Sequence, residues 1–335
     1  MKTVETRVVE PDDADQRLDR WFKRHFPGVG HGHLAKLLRT GQVRVDGKRA
    51  KANQRLEAGQ SVRIPPMDEA PAPEVRPARA APKVDDELVE RLKRAVLYRD
   101  RDVLAINKPA GLATQGGSGI TSHVDGALDG LKFDARERPR LVHRLDKDTS
   151  GVLLLGRSQQ AARRLAEAFR AKSAMKIYWA LVVGEPRPSA GTIEGAIAKL
   201  PGRAGEKMAI DPETGKRAVT RYAIVERLGG KVTWVALFPV TGRTHQLRVH
   251  MAELGTPILG DGKYGGADAF LQGEGVSRKL HLHARAIRIP GMDGNSGGGR
   301  PLEITAPLDD HMKRSWKFFG LDEAAGRDPF EPFEE

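Results

Sequence analysis

An α+β fold in two parts, a small basic module followed by a larger strand-rich one, is what this sequence predicts, on three observations. Short runs of strand character outnumber helical patterns over residues 85–320 and do not alternate with them regularly, which argues against a doubly wound sheet. A proline- and alanine-rich stretch at 65–84 interrupts the chain. Charge is unevenly spread: the 335 residues carry Lys+Arg 56 against Asp+Glu 44, a net charge of +12. Residues 15–65 alone hold twelve of the basic side chains and four of the acidic ones. A basic excess of this kind favours a polyanionic partner and says nothing about fold.

Composition excludes several classes. Cysteine is absent, so disulfides, thiol nucleophiles, iron–sulfur clusters and the common structural zinc sites are excluded. The longest purely aliphatic run, Val152–Leu155, is far short of the about 20 apolar residues that span a bilayer. Residues 1–13 carry acids and no apolar stretch, unlike a secretion signal. The expectation is a soluble, cytoplasmic protein, with a monomer as the default.

The first module is expected over residues 14–64. Leu18, Trp21, Phe22 and Phe26 fall at helical spacing, as do Leu34, Leu37 and Leu38 after the glycine-rich turn at 28–32. Gln42–Val45 alternates as a strand and enters a hairpin at Asp46-Gly47. Two short helices and a tight hairpin carrying Arg17, Lys36, Arg39, Arg44 and Lys48 suit a surface that contacts phosphates. Residues 65–84 follow as a semi-extended linker, since Pro65, Pro66, Pro71, Pro73, Pro77 and Pro82 lack backbone donors.

The second module is expected over 85–320. Strands are predicted at Val103–Ile106, Gly151–Leu155, Ile177–Val183, Ala218–Val225, Thr233–Phe238 and Ala284–Ile289. Ser158 can cap a helix running to about Lys172, with Ala161, Ala162, Leu165, Ala168 and Phe169 on one face. A second helix is expected over Thr244–Leu254. Residues 321–335 read as an acidic tail.

Chemistry concentrates in three segments. In 141–151 two carboxylates, two cations and His143 crowd a turn entering an apolar strand, a placement that suggests a cleft. Arg144 and Lys147 flank Asp146 and favour its ionised form, hence a nucleophile or base in preference to a general acid. Asp148 reads more simply as a turn residue. His143 reads as a hydrogen-bonded structural histidine, with a catalytic role as the alternative. In 241–250 a strand gives way to a helix start where cations gather; Arg243 and Arg248 could contact phosphates, or one could pair with a buried carboxylate. In 176–182 Tyr178 lies on a strand, either as core or as a base-stacking platform.

Other chemistries find little support. His281-x-His283, His31-x-His33 and His245 with His250 lack a third ligand in a recognised pattern, so no metal is expected. Neither GxxxxGK[ST] nor a strand–GxGxxG–helix occurs, so no nucleotide cofactor is expected. A glycoside hydrolase would need a second carboxyl with a raised pKa, and nothing apolar surrounds Asp146 or Asp148 in sequence.

The segment 143–151 (His-Arg-Leu-Asp-Lys-Asp-Thr-Ser-Gly) resembles the active-site signature of the RluA-type pseudouridine synthases. Asn107–Leu112, Lys176–Val182 and Gly242–His250 resemble that family's other motifs, in the same order. Residues 17–19, 34–38, 41–48 and 56–59 resemble the RNA-binding domain of ribosomal protein S-four. The small domain and the glycine stretch 116–119 are most similar to the RluC subgroup, which acts on large-subunit ribosomal RNA.

The resemblance implies a cofactor-free isomerase whose partner is ribosomal RNA, free or in an assembling particle. It implies Asp146 as the catalytic aspartate, attacking the ribose or assisting glycosidic cleavage. Arg248 would pair with Asp146, and Tyr178 would stack on the target uracil, with deprotonation of its carbon 5 as a further role. Arg144 would help extrude the nucleotide or fill the gap it leaves, and Leu247 would pack against the base, with His143 and Arg243 beside the substrate. A non-catalytic ribosome assembly factor on the same fold is the alternative.

Overall fold

The computed structural model describes residues 4–66, 85–117, 119–200, 207–271, 275–291 and 300–334. The chain forms two units, Met1–Lys83 and Val84–Glu335. Most of the proline-rich segment read as a linker, and Ser118 of the glycine stretch, lie outside the described residues.

The small unit contains β1 (Glu5–Val8), α1 (Leu18–His25), α2 (His31–Arg39), β2 (Arg44–Val45), β3 (Lys48–Arg49) and β4 (Ser61–Ile64). Its four strands pair antiparallel in the order β1-β4-β2-β3. Both helices fall where the apolar spacing puts them, with Leu18, Trp21, Phe22, Leu34, Leu37 and Leu38 in one core. The hairpin turn carries Asp46 at φ 49° and Gly47 at φ 74°, the left-handed pair that matches strand twist.

The large unit runs α3 (Asp86–Arg94), β5 (Val96–Arg99), β6 (Val103–Lys108), α4 (Val124–Ala127), β7 (Arg140–Leu141), β8 (Ser150–Gly156), α5 (Gln159–Arg170) and β9 (Met175–Val183). It continues with β10 (Ala190–Lys199), β11 (Met208–Ile210), β12 (Lys216–Leu228), β13 (Val232–Pro239), α6 (Gln246–Glu253), β14 (Leu282–Ile289), β15 (Leu302–Thr305) and α7 (Asp310–Phe319). One sheet takes all its strands in the order β11-β10-β12-β13-β9-β14-β8-β6-β5, with β15 on β14 and β7 on β8. Among the described residues every pairing between these strands is antiparallel except β14 with β8. The mixed, largely antiparallel α+β expectation is what is found.

All six predicted strands are present. β8 is apolar without alternation because both its faces are covered. Leu153 and Leu155 pack with Leu104 and Ile106, while Val152 and Leu154 pack with Leu165 and Ile287. Ser158 caps α5, its Oγ accepting from the Ala161 amide at 3.1 Å. The helix ends at Arg170, ahead of the expected Lys172, which turns left-handed at φ 57°.

Two expectations need correction. Residues 321–334 are not a free acidic tail: Leu321, Phe330 and Phe333 are buried against Trp179, Trp234 and Trp316. Burying these apolar side chains outweighs the acidic composition, and two of the acids pair with arginines, Glu323 with Arg285 at 3.0 Å and Glu334 with Arg288. The helix expected from Thr244 begins at Gln246, because His245 takes a left-handed conformation at φ 55°.

Candidate active site

The one parallel pair in the sheet places the site. β8 meets β14 at Ser150/His283 and Gly151/Ala284. A Cβ at Gly151 would stand 2.2 Å from the Ala284 carbonyl oxygen, so only glycine admits this approach. Ala284 is also the register partner of Tyr178 on β9. The turn that carries Asp146 into β8 is thereby set one strand away from Tyr178.

Buried polar groups then fix that turn. Lys108 is fully buried, and its Nζ donates to the carbonyls of Leu112 (2.7 Å), Pro109 (3.0 Å) and Lys147 (3.1 Å). Burial pushes the Lys108 ammonium down to about 7, against the pull of Asp148, Asp146 and Asp309. Thr114 Oγ1 donates to the Leu145 carbonyl at 2.6 Å and accepts from the Leu145 amide at 3.2 Å. The segment 107–112 is thus a clamp on the turn.

Asp146, 22% exposed at its side chain, faces two cavities. The first, about 640 Å³, is lined by Tyr178 and Leu247 and by Arg144, Arg170, Lys172, Lys176, Arg217, Arg243 and Arg248. Among the described residues Asp146 is the one carboxylate that lines it. The second, about 480 Å³, is lined by Asp146, Asp148, Lys147, His245, Arg248, Asp261 and Lys279, among others. Burial, with Asp146 adding to it, raises the pKa of the Tyr178 phenol and keeps it protonated. Burial lowers the pKa of Lys176, whose ammonium lies 5.8 Å from the Phe169 ring centroid.

Arg248 differs from expectation. Its Nε and Nη2 donate to Asp261 Oδ2 (2.8 Å) and Oδ1 (2.6 Å), and Asp146 stands only within electrostatic reach. The implied Arg248–Asp146 pair is replaced by an Arg248–Asp261 pair, because Asp261 is 1% exposed and a buried carboxylate demands the bidentate partner. Beside Asp146 stands His245, with Nε2 3.8 Å from Oδ2. Its Nδ1 lies 2.6 Å from the Tyr264 hydroxyl. The start of α6 is held by Gln246, whose side chain accepts from Thr241 Oγ1 and the Arg243 amide and donates to the Val219 carbonyl and Thr220 Oγ1.

The remaining candidates divide. Arg144 is exposed at the cavity, and Arg243 is exposed with its Nε on the Arg217 carbonyl at 3.1 Å. Leu247 is buried in one cluster with Tyr178. His143 lines the same cavity, but its Nε2 accepts from the Leu154 amide at 2.9 Å and its ring stacks on Phe169 at 4.7 Å. Burial brings it down to about 3, so it is a neutral wall residue. His281 and His283 are taken up by Ser315 and Leu259, and by Ser150 and Ala306.

In the small unit Lys36, Arg39 and Lys48 are exposed. Arg17 is bonded to Asp19, and Arg44 donates to the Gly41 and Gly47 carbonyls, so both also hold the fold together. Sequence reasoning missed Lys176, Arg217, Asp261 and Tyr264. The last two stand in a glycine-rich turn, where an acid and an aromatic amid glycines were the available signal.

A family model for RNA pseudouridylate synthases matches residues 102–253. The ribosomal large subunit pseudouridine synthase C of Salmonella typhimurium is 38% identical over 322 residues, covering 93% of this chain and 95% of the relative. That of Vibrio vulnificus is 36% identical over 321 residues, covering 94% and 97%. Among solved structures, human RNA pseudouridylate synthase domain containing 4 superposes with a TM-score of 0.60 at 30% identity, covering 71% of this chain and 97% of that one.

Proposed function

This chain belongs to the RNA pseudouridylate synthase family, and from that premise we propose that it converts uridines of large-subunit ribosomal RNA to pseudouridine with Asp146 as the catalytic carboxylate. The observation that carries the assignment of Asp146 is its position as the one carboxylate among the described residues lining a cavity rimmed by seven cations, one strand from a half-buried tyrosine. Such a cavity draws in a polyanion and leaves a single anionic group to act on it.

The reaction balances within its substrate. The bond from ribose carbon 1 to uracil nitrogen 1 breaks, a bond from the same carbon to uracil carbon 5 forms, and the hydrogen on carbon 5 is released as one is gained at nitrogen 1. Asp146 initiates the exchange at the ribose. Tyr178 stacks on the detached uracil while Leu247 packs beside it. A phenol kept protonated by burial suits stacking better than proton abstraction. Arg144, exposed at the cavity, fills the gap left by the extruded nucleotide, since chemistry on a paired base requires its removal from the stack. Arg243, Lys176 and Arg217 take phosphates of the same strand.

The exposed Lys36, Arg39 and Lys48 give the small unit a separate hold on RNA. The accompanying reading is a monomer that works in the cytoplasm. The deciding measurement is tritium release from large-subunit ribosomal RNA labelled at uridine carbon 5, wild type against Asp146→Asn. Release by the wild type and none by the variant is expected. Release by neither, with RNA binding intact, would favour a binding-only assembly factor.

A further inference from the structure

We propose that His245 and Tyr264 are a positioning pair for Asp146, Tyr264 fixing the imidazole and the imidazole fixing the carboxylate. The proposal rests on the reading of Asp146 given above. The Met208 amide donates to the Tyr264 hydroxyl oxygen at 3.1 Å, so the hydroxyl's own proton is available to the His245 Nδ1 at 2.6 Å. With Nδ1 accepting, a neutral imidazole carries its hydrogen on Nε2, the nitrogen 3.8 Å from Asp146 Oδ2. The three groups therefore form a directed chain: amide to hydroxyl, hydroxyl to Nδ1, Nε2–H toward the carboxylate.

Two further observations separate this from an accidental approach. His245 holds φ 55° and ψ 17°, a left-handed conformation that is disfavoured for a non-glycine residue, and it does so one residue ahead of α6. That conformation aims the ring at both Tyr264 and Asp146. Tyr264 also places its ring 5.0 Å from the Arg248 guanidinium. One side chain thus holds both donors that flank Asp146: Arg248 by its ring face, His245 by its hydroxyl. Burial raises the pKa of the Tyr264 hydroxyl, which keeps it a proton donor. At 3.8 Å the last link is open, and an inward shift of under about 1 Å brings it within hydrogen-bond range when RNA fills the site.

The test uses His245→Asn, because asparagine tolerates the left-handed backbone, and Tyr264→Phe, which keeps the ring on Arg248. Each is measured for kcat and KM in tritium release and for Kd toward the same RNA, with wild type and Asp146→Asn alongside. The expected result is a fall in kcat of about 100-fold for His245→Asn and about tenfold or more for Tyr264→Phe, with Kd within twofold of wild type. The double variant is expected to be no slower than His245→Asn alone, since the hydroxyl acts through the imidazole. Wild-type kcat in either variant, parallel losses of kcat and Kd, or additive losses in the double variant would overturn the pairing while leaving the function standing. A wild-type enzyme that releases no tritium would overturn both.

Discussion

Replacing Asp261 by Asn tests how the site holds its arginine. The side chains of Arg248 and Asp261 are 9% and 1% exposed, and two hydrogen bonds of 2.8 and 2.6 Å join them. Asn keeps the volume and one acceptor, removes the charge, and turns an N–H toward the guanidinium. Removing one partner of a buried pair costs about 3–5 kcal/mol. The retained oxygen and the nearby Asp146 offset part of this, leaving about 2–3 kcal/mol. For a unit of this size that loss lowers Tm by roughly 5–10 °C.

The catalytic effect is expected to be larger than the stability effect. Freed from Asp261, Arg248 turns to the remaining carboxylate within its reach, Asp146, and ties up the group proposed to start the reaction. A displacement of about 1 Å is enough to lower kcat roughly 100-fold. The assay pairs thermal unfolding, followed by circular dichroism, with tritium release at saturating RNA and a temperature well below the variant's Tm. Wild-type kcat in a variant whose Tm has fallen would show that Asp261 stabilises the fold without placing Arg248. Wild-type values of both would refute the pair itself.

Three other outcomes are expected. Burial pushes His143 down to about 3 and His250, His281 and His283 to about 4, so each is neutral when folded and takes up a proton on unfolding below about 6.5. The unfolded state then binds more protons, and stability falls as pH drops from about 6.5 toward 4, by about 1 kcal/mol per histidine between pH 7.5 and 5.5 and roughly 5 kcal/mol at most for the four. Urea unfolding followed by the emission of Trp179, Trp234 and Trp316 in a Trp21→Phe background measures it; equal stability at the two pH values would contradict it. Lys36→Glu, Arg39→Glu and Lys48→Glu together should weaken RNA binding and flatten its salt dependence by about 2 in the log–log slope, with Arg17 and Arg44 left in place because they brace the small unit. An unchanged slope in a salt titration would remove these residues from the interface. Gly151→Ala puts a Cβ 2.2 Å from the Ala284 carbonyl at φ 109° and should destabilise the large unit by about 4 kcal/mol or more; a near-native Tm would overturn the account of the parallel seam.

What the sequence made legible was chemistry carried by contiguous residues. Residues 143–151, 176–182 and 242–250 each announce their charge or aromatic content in one short segment, and all three line one cavity. The strands were legible for the same local reason, since β8 and β9 hold the apolar runs Val152–Leu155 and Ile177–Val183. β10 was not, because Ala190–Lys199 is rich in alanine and glycine and its outer residues are exposed. The last segment misled because acids dominate its composition, whereas three separated apolar side chains, Leu321, Phe330 and Phe333, decide where it goes.

The pairing of Arg248 shows where local reading ends. The residues alone allowed a partner in some buried carboxylate, and that was correct; the resemblance pointed to Asp146, and the structure supplies Asp261, thirteen residues downstream. Nothing in the spacing from Arg248 to Asp261 marks them as neighbours. They meet because the turn at 260–266 folds back beside α6, and the same turn brings Tyr264 to His245. The candidate carboxylate could be read from its motif. The groups proposed to hold it in place could not, because each comes from a loop that the fold returns to the turn ahead of β8.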